Sequence, residues 1–330
     1  MAEFISTFTT GFSDLVKKDF PKKIKGVSII NIFDGLVHYK FDGNSRDLSK
    51  IIYFNNTFFV IKTFSQQNIS FPQMVNNISN QKSYFLLNKG SFRVRFVKEN
   101  QFSKVDKNIS KKAEEVVLRN SKLTLDRLSP STEVWYSIRR ENFAFCGQLI
   151  FKREFTEKNL HKGELRPEIA YFLSIYAEEL NQKVVMDCFA GYGAIPLQIV
   201  KNHDVKELII NDISKELVDN FKKQQIFIND KIRIYCEDAF KIEDVKDKSV
   251  DVVITDPPWG YYEDIGDITL FYQRMFQSFK RVLKNDGRII LLSARTDNLI
   301  DATSKECLRI NESIHTLVNG KKASLYNISL

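Results

Sequence analysis

The second half of the chain alternates short apolar runs with amphipathic stretches. Helices are predicted from Ile195, from Lys215 and near residues 270–283. Strands are predicted at five apolar runs, residues 184–188, 208–211, 232–236, 250–255 and 288–293. Strands that are apolar throughout and separated by helices are typical of a doubly wound parallel sheet with both faces covered. Two later runs, 309–318 and 323–329, are joined by Asn319-Gly320, which predicts a hairpin at the sheet edge.

The first half has a different pattern, with apolar runs at 27–32 and 58–61 separated by turn residues. Residues 91–97 alternate, so that Phe92, Val94 and Phe96 face one way and Arg93 and Arg95 the other. A helix is predicted at about 110–121, with Ala113, Val116, Val117 and Asn120 on one side, followed by strands at 133–138 and 143–150. This half is predicted to be α+β.

Charge also divides the chain. Residues 1–160 contain 26 Lys and Arg against 15 Asp and Glu, a net charge of +11, whereas residues 161–330 contain 23 against 26, a net charge of −3. A basic front half indicates a polyanionic partner, although a generally basic proteome would also produce it.

Composition excludes some classes of protein. The 330 residues are 43% hydrophobic and 27% charged, as in soluble globular proteins, and contain no apolar run of membrane-spanning length. The N-terminus does not have the pattern of a signal peptide. Four scattered cysteines, without C-x-x-C spacing, predict reduced thiols, a cytoplasmic location and no metal site.

A candidate nucleotide site follows the run at 184–188. Asp187 ends the strand and is followed by Gly191 and Gly193, where a Cβ would obstruct a ligand. A nicotinamide cofactor is disfavoured because Pro196 occupies the position of the third glycine in G-x-G-x-x-G. Asp212 and Asp238 end the next two strands, where carboxylates could accept the ribose hydroxyls and an adenine amino group.

The fourth strand leads into Asp256-Pro257-Pro258-Trp259. The prolines remove backbone donors and leave the Asp256 carboxylate and the Pro257 carbonyl as acceptors, which could orient an exocyclic base amine through its N–H groups. Trp259 offers a flat face for stacking a base.

These motifs resemble those of class I S-adenosylmethionine-dependent methyltransferases over about residues 160–330, and 256–259 resembles the (Asp/Asn)-Pro-Pro-aromatic signature of amino methyltransferases. The resemblance implies catalytic roles for Asp256, Pro257, Pro258 and Trp259. It implies S-adenosylmethionine as cofactor, bound by Arg166, Pro167, Asp187, Phe189, Ala190, Gly191, Gly193, Asp212, Ile213, Asp238, Ala239 and Asp256. Tyr192 and Ala194 depart from the Ser or Thr of many relatives.

Residues 76–152 resemble the THUMP domain of RNA-modifying enzymes, and 1–75 resemble the ferredoxin-like region that accompanies it. Leu165-Arg166-Pro167 resembles the segment that opens the methyltransferase domain in THUMP-containing guanine-N2 methyltransferases and lines the methionine end of the cofactor. The implied organisation is a ferredoxin-like region at 1–75, THUMP at 76–152, a linker at 153–163 and a Rossmann-like methyltransferase domain at 164–330. The residues expected to contact RNA are Lys89, Arg93, Arg95, Lys98, Lys104, Lys107, Lys111 and Lys112.

This resemblance implies methylation of guanosine N2 in tRNA, in the acceptor stem or at the base of the D stem, by a monomer or weak dimer. The signature alone also fits adenine in DNA, adenine in RNA or glutamine as the acceptor. The alternatives among enzymes are an adenine-N6 and a ribosomal RNA guanine-N2 methyltransferase. A catalytically silent RNA-binding THUMP protein is the alternative from another class.

Overall fold

The computed structural model describes residues 1–153, 160–161, 163–261 and 264–330. It divides into two compact units, one of Met1–Phe8 and Val16–Glu154 and the other of Thr9–Leu15 and Phe155–Leu330. Most of the linker predicted at 153–163, namely residues 154–159 and 162, lies outside the described residues. No helix in the described part of the chain is long and apolar enough to cross a membrane.

The first unit is built on a mixed sheet whose strands follow the order β2-β3-β1-β4-β9-β8-β5-β6, with β7 paired to β5. The strands are β1 Ala2–Thr7, β2 Val27–Phe33, β3 Leu36–Phe41, β4 Asn56–Phe64, β5 Ser91–Lys98, β6 Gln101–Phe102, β7 Thr124–Leu125, β8 Thr132–Ile138 and β9 Ala144–Lys152. The α-helices are α1 Ser13–Lys23, α2 Phe71–Ser79 and α3 Lys107–Asn120, and Ser45–Lys50 is a 3-10 helix.

The elements predicted in this half are confirmed, with differences at their ends. Helix α3 begins three residues before the predicted start because the Asp106 side chain accepts a hydrogen bond from Asn108 N and caps it. Its inner face, Ala113, Val116 and Val117, is buried against Phe92 and Phe96 of β5 in one apolar cluster. Strands β1, β3, β6 and β7 and helices α1 and α2 had not been predicted.

Strands from both predicted N-terminal regions belong to this one sheet. β4, from the region proposed as ferredoxin-like, pairs along its length with β9, from the region proposed as THUMP. The division at residue 75 therefore stays a prediction.

The second unit confirms the predicted Rossmann-like α/β fold. Its sheet has the order β12-β11-β10-β13-β14-β16-β15, parallel except at β16. The strands are β10 Val184–Asp187, β11 Glu207–Asn211, β12 Ile232–Tyr235, β13 Val250–Thr255, β14 Leu283–Ser293, β15 Arg309–Val318 and β16 Lys321–Ser329. The helices are α4 Pro167–Tyr176, α5 Ala194–Asn202, α6 Lys215–Lys223, α7 Ile268–Val282 and α8 Thr296–Lys305, with a 3-10 helix at Gln225–Phe227.

The central strands of this sheet are buried on both faces, which explains their unbroken apolar sequences. Val185 and Met186 of β10 are fully buried, as are Val253 and Ile254 of β13. The hairpin predicted at Asn319-Gly320 is confirmed, since β15 and β16 pair up to the turn at Val318 and Lys321. β10, β11, β12 and β13 run parallel, so their carboxyl ends meet at one edge of the sheet.

A segment from near the N-terminus packs within the second unit. Phe12 stacks on Phe172 of α4 with ring centroids 4.0 Å apart, and both rings are fully buried. The hydroxyl of Thr316 on β15 also donates to the carbonyl of Thr10 at 2.7 Å. Residues 9–15 thus help to form the core of the unit that carries the predicted cofactor motifs.

We expect Phe12→Ala to lower the free energy of unfolding of the second unit by about 3–5 kcal/mol, because a fully buried ring and its stacking partner lose contact. Urea unfolding followed by the fluorescence of Trp259 would measure the change in a Trp135→Phe background. The control is Ile300→Ala on α8, where a side chain that is 48% exposed loses apolar volume with little effect. Equal losses for the two variants would contradict the assignment of Phe12 to this core.

Candidate active site

A cleft of about 490 Å³ lies at the carboxyl edge of the second unit's sheet. Its walls include residues that follow β10, β11, β12 and β13, together with residues of the β15–β16 hairpin. Of the predicted cofactor residues, those that line it are Phe189, Gly191, Asp212, Ile213, Asp238, Ala239 and Asp256. All four predicted catalytic residues, Asp256, Pro257, Pro258 and Trp259, line the same cleft.

The predicted cofactor residues Arg166, Pro167, Asp187, Ala190 and Gly193 do not line it. Arg166 instead forms an ion pair with the buried Glu168 on α4, while the preceding residue, Leu165, contributes to the wall. Gly193 starts α5 at φ +86°, and a Cβ there would lie 2.5 Å from Cε1 of Phe221. Gly193 therefore serves the packing of α5 against Phe221.

Gly191 and Asp212 form the part of the cleft after β10 and β11. The amide of Gly191 donates to Oδ2 of Asp212 at 2.8 Å, and the amide of Ser214 donates to Oδ1 at 2.9 Å. A Cβ on Gly191 would meet no described atom within 4 Å, so the backbone borders open space. An ionised carboxylate has about four lone-pair sites, which leaves Asp212 capacity to accept hydroxyl groups of a ligand.

Asn211, which the sequence reasoning had not singled out, links three strand ends. Its amide nitrogen donates to the carbonyls of Cys188 and Glu237, at 3.2 and 3.1 Å, and its oxygen accepts from Glu237 N at 3.0 Å. The side chain is fully buried. The sequence feature that could have identified Asn211 is its position as a polar residue at the end of an apolar strand, directly before Asp212.

Asp187 and Thr255 join the two loops that carry the motifs. The Thr255 hydroxyl donates to Oδ1 of Asp187 at 2.7 Å, and both side chains are fully buried. Phe189 N lies 3.3 Å from the same carboxylate oxygen. Burial raises the pKa of Asp187 to about 7, although these two donors oppose the shift.

Asp256 lies directly after Thr255. Burial, and next the charge of Asp187, raise the pKa of Asp256 well above its ordinary value, while the Trp259 side chain opposes the shift. Asp256 Oδ1 and Trp259 Nε1 are both buried, and neither makes a hydrogen bond of acceptable distance and angle with the described residues, although the Trp259 N–H is near enough to oppose the pKa shift. The Pro257 carbonyl likewise accepts no hydrogen bond from them. Two acceptors without a partner among the described residues therefore belong to consecutive residues that both line the cleft.

Aromatic residues form much of the remaining wall. Phe189 and Phe240 both pack against Phe271 of α7, with centroids 5.8 and 5.1 Å apart. Tyr192 stacks in parallel on His161, with centroids 4.4 Å apart. Sequence reasoning had noted Tyr192 only as a departure from related motifs. Flat aromatic residues in the same cleft as carboxylates suit a purine that is stacked and also hydrogen-bonded.

The predicted RNA-contacting residues all belong to the first unit. Arg93 forms an ion pair with the buried Glu133, and Arg95 Nε lies 3.8 Å from the same carboxylate, so Glu133 partly compensates their charge. The Lys112 ammonium donates to Asn76 at 2.7 Å. The exposed members of the set are Lys89, Lys98, Lys104, Lys107 and Lys111. Their role in RNA binding stays a prediction.

Comparison with known proteins places the second unit among methyltransferase folds. The family model described as UPF0020, RMKL-like, methyltransferase domain, matches residues 199–323. The crystal structure of TrmN from Thermus thermophilus superposes with a TM-score of 0.79 at 18% identity, covering 100% of this chain and 99% of that one. The N-terminal unit thus shares its fold with that structure as well.

Two curated relatives are similar over part of their length. A tRNA (guanine(6)-N2)-methyltransferase of Methanocaldococcus jannaschii is 24% identical over 192 residues, which are 56% of this chain and 46% of the relative. A release factor glutamine methyltransferase of Clostridium acetobutylicum is 29% identical over 166 residues, 42% of this chain and 58% of the relative. The chain matches about half the length of these relatives.

The cofactor of this methyltransferase fold is S-adenosylmethionine, and the cleft fits it. Asp212 offers unused acceptor capacity beside the open backbone of Gly191. Asp238 lies at the next strand end, where among the described residues only Phe240 N, at 3.0 Å, donates to its carboxylate. These residues would hold the nucleoside part between them and the aromatic wall. Within the described residues, no group of three or more His, Cys, Asp and Glu could hold a metal ion.

We expect Thr255→Val to reduce the free energy of unfolding by about 2–3 kcal/mol and to weaken cofactor binding. The variant leaves the buried Asp187 carboxylate without its shortest hydrogen bond. Chemical denaturation and calorimetric titration with S-adenosylmethionine would measure both effects. The matched control is Thr303→Val, which removes a buried hydroxyl bonded to the Ile300 carbonyl at 2.8 Å, at a cost of about 1 kcal/mol. A smaller loss for Thr255→Val than for the control would contradict the linking role.

We also expect stability to decrease as pH rises from about 4 to 7, and to decrease less in Asp187→Asn. In this window the unfolded chain has released the Asp187 proton while the folded protein retains it, because the folded pKa is raised to about 7. The unfolded state then binds fewer protons, so increasing pH favours it. Denaturation at several pH values would measure the slope. Asp256 contributes the same trend and keeps the part of its pKa shift that is due to burial, while the part due to the Asp187 charge is lost in the variant. An unchanged slope in Asp187→Asn would refute the attribution.

Proposed function

We propose that the chain is an S-adenosylmethionine-dependent tRNA methyltransferase that methylates guanosine N2. The observation that carries the proposal is the unpartnered, buried Oδ1 of Asp256, next to Trp259 in the cleft that also contains Asp212 and Asp238. A buried acceptor without a donor is costly, and a substrate amino group would supply the missing N–H.

The chemistry requires acceptors rather than a metal or a nucleophile. When bound, the cofactor supplies a methyl group on a sulfonium, and an exocyclic base amine is a weak nucleophile because its lone pair is delocalised into the ring. Hydrogen bonds from the two N–H groups to Asp256 and the Pro257 carbonyl would orient the amine and stabilise its positive charge. These donors also favour the charged form of Asp256, whose raised pKa makes it a suitable proton acceptor afterwards.

RNA is favoured over a protein acceptor by the charge distribution. Residues 1–160 carry a net charge of +11, and the exposed lysines of the predicted RNA-contacting set lie in the first unit. Trp259 would stack on an extruded base, a contact worth about 1–3 kcal/mol per base. Guanine N2 is the acceptor we propose because the archaeal relative is named for it, and that same similarity supports tRNA as the partner.

We expect purified protein to transfer labelled methyl groups to unmodified tRNA and Asp256→Ala to be slower by a factor of about 10²–10³, because an acceptor that stabilises the transition state is lost. Nuclease digestion and chromatography of the product should give N2-methylguanosine. The control is Asp286→Ala, which removes an exposed carboxylate at the amino-terminal part of β14 and should retain full activity.

Different failures of this experiment point to different alternatives. N6-methyladenosine in the digest, or transfer to ribosomal RNA alone, would replace the proposed acceptor but keep the chemistry. Label in protein would favour a glutamine acceptor, as in the name of the bacterial relative. Transfer to no acceptor, with Asp256→Ala identical to wild type, would leave a catalytically silent RNA-binding protein.

A further inference from the structure

Asp256 lacks a backbone hydrogen bond that the other three acids at the strand ends share. Each of those three accepts from the backbone amide two residues further on: Asp187 from Phe189 N at 3.3 Å, Asp212 from Ser214 N at 2.9 Å and Asp238 from Phe240 N at 3.0 Å. This Asx turn is a common local partner for an aspartate side chain. Asp256 cannot form it, because the residue two positions on is Pro258, which has no N–H.

The indole N–H of Trp259 could take the place of the missing amide. Trp259 Nε1 is a buried donor and Asp256 Oδ1 a buried acceptor, and neither makes a hydrogen bond of acceptable geometry with the described residues. Each of these groups costs free energy while it stays unpaired. Burial, and next the charge of Asp187, raise the pKa of Asp256, and the Trp259 side chain is close enough to oppose both effects. The two unpaired groups are therefore complementary neighbours.

Contacts on two sides hold Trp259 in the turn that carries Asp256. Arg295 Nε donates to the Trp259 carbonyl at 2.7 Å, which fixes the backbone. The Tyr261 ring lies edge-on to the indole, with centroids 6.3 Å apart and an angle of 78° between the planes. Asp256, Trp259 and Tyr261 line the same cleft. These contacts keep the indole beside the carboxylate at the place where the target base would stack.

The other ionisable groups around Asp256 do not supply this donor. Asp187, at the end of β10, adds a negative charge when it is ionised. Tyr272 of α7 interacts electrostatically with Asp256, and also with Arg295 and with Tyr326 of β16. Burial raises the pKa of Tyr272, so this side chain stays neutral, and its hydroxyl is engaged by a serine. Arg295, the residue before α8, uses its Nε on a backbone carbonyl.

We propose that the Trp259 indole N–H donates to the Asp256 carboxylate and keeps it ionised for the target amine. The inference rests on the proposed function and gives Trp259 a positioning role, exerted through Asp256, in addition to stacking. A carboxylate has about four lone-pair sites, so it can accept the indole N–H and an amine N–H together. The ring that stacks on the base would then also orient the group that accepts its amine. A phenylalanine at this position could stack but could not donate.

The first test is the pH dependence of methyl transfer to unmodified tRNA by the full chain. We expect Trp259→Phe, which keeps a flat ring without the N–H, to move the acid limb of kcat/KM to higher pH by about one unit. Asp256 then retains its proton to a higher pH, and the rate below the limb falls about tenfold. The matched control is Trp135→Phe in the first unit, which removes an indole N–H from Glu133 Oε2 at 2.6 Å and should leave the limb in place.

The second test needs neither substrate nor cofactor. The protein has two tryptophans, so Trp135→Phe identifies the indole N–H signal of Trp259 in the NMR spectrum of isotope-labelled protein. This signal should change with pH as Asp256 titrates, and Asp256→Asn should abolish the change. Asp187→Asn should retain it but move it to lower pH, because the charge of Asp187 raises the pKa of Asp256.

Two results would overturn the inference and leave the proposed function intact. One is an acid limb that stays in place in Trp259→Phe while kcat falls equally at every pH, which would mean that Trp259 acts by stacking alone. The other is a pH dependence of the Trp259 indole signal that survives in Asp256→Asn, a result that does not require Trp259→Phe to fold. Wild-type protein that transfers methyl groups to no RNA refutes the proposed function, whereas the indole titration still decides whether the two side chains are paired.

Discussion

The hydrogen bond between Thr255 and Asp187 is the contact on which the rest of the active site depends. It joins the last residue of β13 to the last residue of β10, and both side chains are fully buried. The glycine-bearing loop begins directly after Asp187 and the Asp-Pro-Pro-Trp loop directly after Thr255. A bond of 2.7 Å between them fixes the distance from the cofactor side of the cleft to the acceptor side. Methyl transfer needs this kind of fixed geometry, because the two reactants must be held in line.

The same arrangement places several carboxylates close together, which raises the free energy of their ionised forms. The proposed methyl transfer can use the raised pKa that results. Asp187, Asp212 and Asp256 lie at neighbouring strand ends, where burial and mutual repulsion raise the pKa of Asp187 and of Asp256. Asp212 is supported by the amides of Gly191 and Ser214. Asp256 has no comparable backbone donors, and its Oδ1 has no partner in the described part of the chain. Such an unfavourable carboxylate is typical of a binding site, where a bound ligand supplies the hydrogen bond that the protein does not.

Much of this site could be predicted from particular residues. Apolar runs predicted the strands of the second unit because both faces of a parallel sheet are buried, and each acid lies at the end of such a strand or within three residues after it. The predictions were weaker where side-chain partners lie far apart in sequence. Arg166 is paired with Glu168 and lies off the cleft, and Arg93 is compensated by Glu133 on the neighbouring strand β8. Helix α2 does carry a helix-start signature, the capping box of Ser70 and Gln73, which the sequence prediction did not use.

The sequence by itself determined the alternation of strands with α5, α6 and α7 in the second unit, the acids at the strand ends and the acceptor-rich turn at 256–259, whereas α4 and α8 were not predicted. The features that it determined are local properties, set by hydrophobic periodicity and by the backbone chemistry of proline and glycine. Only the tertiary structure decided which distant residues join the cleft. The antiparallel pairing of β14 with β16 places Arg295 and Lys321 around the Tyr261 ring, although they are separated along the chain by most of α8 and β15. Such neighbours depend on long-range strand pairing and packing, which no local pattern encodes.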